Sequence, residues 1–154
     1  MRTRVATAVL GIAVTLGGCA TAGSEPPDPT SAAQSLWSAR TDFVGDNSRV
    51  VELAGQAGFG PAGTYQVSLQ TQQPPYAMTV AFDQLDKPFD SIDFGANATL
   101  MLGLVANLDE VFVTSDDHSY SLTASEASKA LGFDVKELGR DKTQLAAYLD
   151  DSRD

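Results

Sequence analysis

The single thiol of the chain, Cys19, stands directly after two glycines at the end of an apolar run, in Leu16-Gly17-Gly18-Cys19. A lone thiol is a candidate nucleophile, but its surroundings here point to a different fate. Arg2 and Arg4 form a positive start, Val5 to Leu16 an apolar stretch, and Gly17-Gly18 a small-residue cleavage site. That order is the pattern of a secretory signal. The apolar stretch is well short of the roughly 20 residues that span a bilayer. A buried core helix accounts for the apolar residues but not for the basic start or the paired glycines.

A cysteine immediately after such a site resembles the lipobox of bacterial lipoproteins. The resemblance implies that residues 1–18 are removed and that the Cys19 thiol is diacylated. Two or more acyl chains anchor durably, since each buried methylene contributes about 0.8 kcal/mol. The expected location is the outer face of the cell membrane. With Ala20 and no aspartate after the cysteine, the outer membrane is expected in a host that has two.

Other groups capable of chemistry are sparse. Metal sites need clustered His, Cys, Asp or Glu, and the chain has one histidine. Asp116-Asp117-His118 reads as a polar turn. Asp83, Asp86, Asp90 and Asp93 offer oxygens to a hard cation, but lack the alternate-residue spacing and central glycine of an EF-hand loop, so a solvated acidic loop is expected. Ser115 and Ser119 flank His118 in sequence, with no nucleophile-elbow pattern around them. Gly55 to Gly63 is glycine-rich, yet it follows a helical pattern and lacks the phosphate-loop lysine. No catalytic set, no metal and no cofactor are expected. The segment Thr41–Ser48 is the best site candidate. Its Gly45, Asp46, Asn47 and Ser48 feed a helix N-terminus, where free amides suit an anion or a partner carboxylate. The simpler reading has Asp46 and Asn47 capping the helix and Gly45 making the turn. Phe89 and Phe94, in the acidic 83–94 loop, either form a docking patch or pin the loop to the core.

The elements that must position these residues follow from periodicity. Residues 20–35 are small, polar and proline-bearing, so 19–35 is expected to be a flexible tether. Leu36-Trp37 opens the domain, 36–154, with Trp37 as a core anchor. Val50, Leu53, Ala54 and Ala57 share a helical face, with Asp46 placed to cap it and Gly58 to stop it. Tyr65, Val67 and Leu69 alternate with Gln66, Ser68 and Gln70, and Tyr76 to Phe82 alternates likewise, predicting a hairpin around Gln72–Pro75. Ala96–Asn107 has helical spacing, with Gly103 expected to pack against the sheet. Two strands around Val111-Phe112-Val113 and Ser119–Leu122 predict a second hairpin. Thr123-Ala124-Ser125-Glu126 has the form of a capping box, Gly132 ends that helix, and a last helix runs from Asp141. The expected fold is α+β: a two-layer domain of antiparallel β-hairpins packed on helices, in helix–hairpin–helix–hairpin–helix order.

The formal net charge is −10, and loss of residues 1–18 would remove two of the arginines. Such a balance argues against nucleic acid and against direct adhesion to anionic lipid.

Three words stand in this frame: Thr41-Asp42-Phe43-Val44-Gly45-Asp46-Asn47-Ser48, Leu69-Gln70-Thr71 with Pro75-Tyr76-Ala77-Met78-Thr79-Val80, and Asn107-Leu108-Asp109-Glu110-Val111. Together they resemble the YVGDNS, LqT…PYGLTV and NVDEV patterns of an uncharacterised bacterial lipoprotein family, domain of unknown function 4825. The likeness runs from about Arg40 to Leu149. Phe43 replaces tyrosine and Ala77 replaces glycine. The resemblance brings no catalytic residues. It implies an extracytoplasmic accessory or sensory module. The functional expectation is therefore a non-enzymatic, lipid-anchored domain that binds an envelope protein. The alternative is a small-ligand or cation binder that uses the acidic loop.

Overall fold

Strict alternation marks the first two strands, and they pair as neighbours. In the computed structural model, which describes residues 29–152, β1 (Gly63–Gln70) lies antiparallel to β2 (Ala77–Leu85), with Val67 opposite Val80 and Leu69 opposite Met78. The second pair, β3 (Glu110–Ser115) and β4 (His118–Thr123), is also antiparallel. The two pairs are not separate hairpins. β2 runs parallel to β3, with Met78 opposite Val111 and Val80 opposite Val113, which gives one four-stranded sheet in the order β1-β2-β3-β4. All four of those side chains are fully buried, as expected where a parallel pair forms the centre of a sheet.

A parallel pairing needs a long crossover, and here that connection carries α3 (Phe94–Leu104). Every residue from Ala98 to Leu104 is buried, so this helix is apolar all round and forms the middle of the core. Around it lie α1 (Pro29–Ala39), α2 (Asn47–Ala54), α4 (Ala124–Leu131), α5 (Glu137–Arg140) and α6 (Lys142–Asp151). The fold among the described residues is thus mixed α+β, with six helices and one sheet. None of these helices is long and apolar enough to cross a membrane.

Several expectations are revised. α1 starts at Pro29, inside the stretch 19–35 read as tether, because Ala33 and Leu36 are buried on one side of a helix that packs on α6. Proline at the first helical position costs no hydrogen bond. Trp37 is half-buried, and the Arg40 guanidinium stands 3.9 Å from its ring centroid. β2 continues through Asp83 to Leu85, so the acidic loop begins only at Asp86. Gly103 packs on α5, not on the sheet. A Cβ there would stand 2.7 Å from the Leu138 Cβ, and one on Gly139 would stand 2.5 Å from the Gly103 carbonyl oxygen. Two glycines therefore let α3 and α5 meet backbone to backbone. Gly58 adopts φ 109° within a π-turn that continues α2, a conformation that glycine reaches without strain.

Candidate functional site

Helix α3 ends at Leu104 with an extended Val105 and no glycine at its C-cap, and with no basic residue in its last turn, so its final carbonyls need donors from elsewhere. Lys136, just before α5, supplies one for Leu102 in the helix and reaches two carbonyls beyond it, while Thr41 serves Leu104. Its ammonium donates to the carbonyls of Leu102 (2.6 Å), Val105 (3.2 Å) and Leu108 (2.6 Å). Desolvation lowers its pKa from 10.5 to about 8, against the opposing pull of Asp109 and Asp134. Lys136 was not among the residues singled out by sequence. The signal that points to it is indirect: an uncapped helix end, and one lysine set between buried Val135 and Leu138.

The loop that follows α3 gathers the three sequence words. Thr41 donates to the Leu104 carbonyl and accepts from Ala106, both at 3.0 Å, as a short parallel bridge to Val105. The Asn107 side-chain oxygen accepts from the Val44 amide at 2.6 Å. The Asp109 carboxylate accepts from the Tyr76 amide at 2.7 Å, while the Asp109 amide donates back to the Tyr76 carbonyl at 2.8 Å. Asp109 also accepts, through its own carbonyl, from the Ala124 amide that opens α4. The third word is therefore a clasp. Asn107 holds the first word, and Asp109 holds the second. Both side chains of the clasp accept from backbone amides, and among the described residues no buried side-chain nitrogen or oxygen lacks a partner. An open groove of about 730 Å³ lies beside it, lined by Pro74, Pro75, Asp109, Glu110, Thr123 and Ser125, among others.

The segment 41–48 is presented outward from this clasp. Val44 is buried, Thr41 and Val44 are bonded to the loop behind, and between them Phe43 is 66% exposed. Gly45 has open space around it. Asp46 stands at the N-cap of α2, but its side chain makes no cap bond. Its carboxylate turns instead to the Arg49 guanidinium, 3.6 Å away. Asn47 and Ser48 begin the helix, exposed.

The acidic loop is arranged differently. Phe94 is 3% exposed and packs among Phe59 and Phe82. Phe89 lies on Phe94 at 4.7 Å and on His118 at 5.3 Å between ring centroids. The two phenylalanines pin the loop to the core and do not form an exposed patch. Its aspartates disperse: Asp83 accepts from Gln66 on β1, Asp93 caps α3 through the Ala96 amide, and Asp86 and Asp90 are exposed. Among the described residues no three His, Cys, Asp or Glu side chains gather as a metal site. Thr123 and Glu126 form the expected capping box. Cys19, the leader 1–18 and the first part of the tether lie outside the described residues.

No curated protein and no solved structure matches this chain. The family model described as Domain of unknown function (DUF4825) matches residues 36–125, a span that contains all three words and the clasp loop but stops before Lys136 and α5. Covering more than half of the chain, that match places this protein in the DUF4825 family.

Proposed function

We propose that this chain is a non-enzymatic protein-binding module, held at the outer face of the cell membrane by lipid on Cys19, and that it meets its partner through the 41–48 loop. The observation that carries the binding reading is Phe43. It is a large aromatic ring, two-thirds exposed, on a loop whose flanks are tied down by Thr41 and Val44. Interfaces draw most of their energy from a few such rigid aromatic anchors, and a pre-ordered loop lowers the entropic cost of binding. The anchor rests on Arg2, Arg4 and the Leu16-Gly17-Gly18-Cys19 sequence.

Two variants test the two halves. Cys19→Ser is expected to release the protein from membranes or leave it unprocessed. Retention of a mature-length chain on the membrane would overturn the anchor. In-cell crosslinking of the tagged chain is expected to yield one reproducible envelope neighbour, lost with Phe43→Ala. A neighbour set that does not change with Phe43→Ala would overturn the contact surface.

A further inference from the structure

From Leu53 through Phe82 the chain carries no charged residue and no histidine, in a protein of formal net charge −10. That stretch contains the whole of β1, which among the described residues is one of the two edge strands of the sheet. We propose that β1 is a self-association edge: two copies of this chain join β1 to β1 antiparallel about a two-fold axis at Val67, forming one eight-stranded sheet.

Edge strands expose unpaired amides and carbonyls, and natural proteins usually blunt them with charge, proline or bulges. β1 is eight residues long and has neither a charge nor a proline. Its one irregularity, between Thr64 and Tyr65, lies at the start of the strand. Tyr65, Val67 and Leu69 face the core but stay only half-buried, so a second strand alongside would cover them. Val67 is the middle position of the trio. Antiparallel pairing about that residue sets Tyr65 against Leu69 of the second copy and Val67 against its own equivalent. Residues on one face then oppose residues on the same face, as the pleat requires, and the contact is the same from both sides, as a two-fold interface requires.

Charge selects the occupant. Two copies of a strongly acidic chain repel each other, so the strand along which they meet must itself bear no charge; the Asp83 carboxylate beside β1, on β2, is held by the Gln66 side chain. The opposite edge fails this condition. β4 has six residues, with Asp116 and Asp117 before it and Glu126 after it. Pairing of β4 with itself, or of β4 with β1, would carry those carboxylates into the contact or leave an open, fibre-forming arrangement.

The test uses two differently tagged full-length copies expressed together, with Val67→Cys in both, treated with a mild thiol oxidant on membranes. A covalent dimer carrying both tags is expected. Leu122→Cys, half-buried on the inner face of β4, and the unsubstituted chain are expected to give none. Adding Gln66→Glu and Ser68→Glu, both on the exposed face, to the Val67→Cys chain sets like charges directly opposite each other and should cut the covalent dimer about tenfold. Melting curves of that variant check that the fold is intact. No dimer from Val67→Cys, equal dimer from Val67→Cys and Leu122→Cys, or a Val67→Cys dimer indifferent to the two glutamates would each overturn the proposal.

Discussion

Two loops of this protein lead into helices with nearly the same backbone and opposite chemistry. Asp46 before α2 has φ −78° and ψ 74°, and Asp93 before α3 has φ −79° and ψ 78°. Asp93 caps its helix by accepting from the Ala96 amide. Asp46 leaves its helix uncapped and turns to Arg49. The aromatics diverge in the same way: Phe94 is buried in a ring cluster, while Phe43 points to solvent. Backbone shape does not separate the two loops. The difference lies in what sits nearby, a cation one turn on in the first case and an aromatic core behind the chain in the second. The second loop is held by its own side chains. The first is held by the clasp beneath it, and its Phe43 ring is left exposed.

The sharpest way to break this contrast is to truncate each ring. Phe94→Ala opens a cavity among Phe59, Phe82 and Phe89, and is expected to cost about 3–5 kcal/mol. Phe43→Ala should fall within about 0.5 kcal/mol of the parent, as for other exposed positions. Urea unfolding of both variants checks this. A large loss at Phe43 would mean that its ring is part of the fold and not a presented surface.

The clasp that carries the first loop depends on a partly desolvated lysine, and this makes its contribution pH-dependent. The Lys136 amine titrates near 10.5 when unfolded and near 8 when folded. Between those values the unfolded chain binds more protons, so stability rises with pH through that window. From pH 7 to 9.5 the gain from this group is about 2 kcal/mol. Burial raises the pKa of Tyr65, Tyr120 and Tyr148, so near and above pH 10 these groups act in the opposite direction. The difference in unfolding free energy between the parent and Lys136→Met, followed across pH 7–9.5, isolates the lysine. A difference that stays constant across that range would show that Lys136 is not desolvated.

Asn107→Ala removes the acceptor for the Val44 amide without touching the acidic loop. The expected loss is about 1–2 kcal/mol, the cost of an amide left unpaired in a partly buried site. Amide exchange should speed up at Val44 and its neighbours while Ile92 and Phe94 keep their protection. Uniform exchange changes over both loops would show that they are not supported separately.

What could be read from the sequence follows the range of the forces involved. The Thr123–Glu126 capping box, the Gly132 stop and the β1–β2 hairpin were each legible because each is decided within a few residues. The parallel pairing of β2 with β3 was not. Met78 and Val111 meet only after a crossover of many residues, and alternation alone does not say which strand lies next door. Gly103 was recognised as a close-packing position, but its partner, Gly139 on α5, is set by tertiary structure. The three sequence words were visible as words; that Asn107 and Asp109 fasten the other two became apparent only from their hydrogen bonds. Asp46 occupies the N-cap position that the sequence assigns to it, but makes no cap bond and faces Arg49, because the position of a cap is fixed locally while its side-chain rotamer is open to competition from a neighbouring cation or from the loop backbone.

That competition gives the smallest and most discriminating prediction. Asp93→Ala removes a true cap and should cost about 1 kcal/mol. Asp46→Ala removes only an exposed ion pair, which contributes at most a few tenths of a kcal/mol after solvent screening. If the Arg49 side chain is what draws Asp46 from its cap, then Arg49→Ala frees the carboxylate for the α2 amides. In the Arg49→Ala background Asp46→Ala should then cost about as much as Asp93→Ala does in the parent. A double-mutant cycle on Asp46 and Arg49 measures this directly. A coupling in which each substitution costs the same with or without the other would place the cause in the backbone of the 41–48 loop, fixed by Thr41 and Val44, and not in the neighbouring cation.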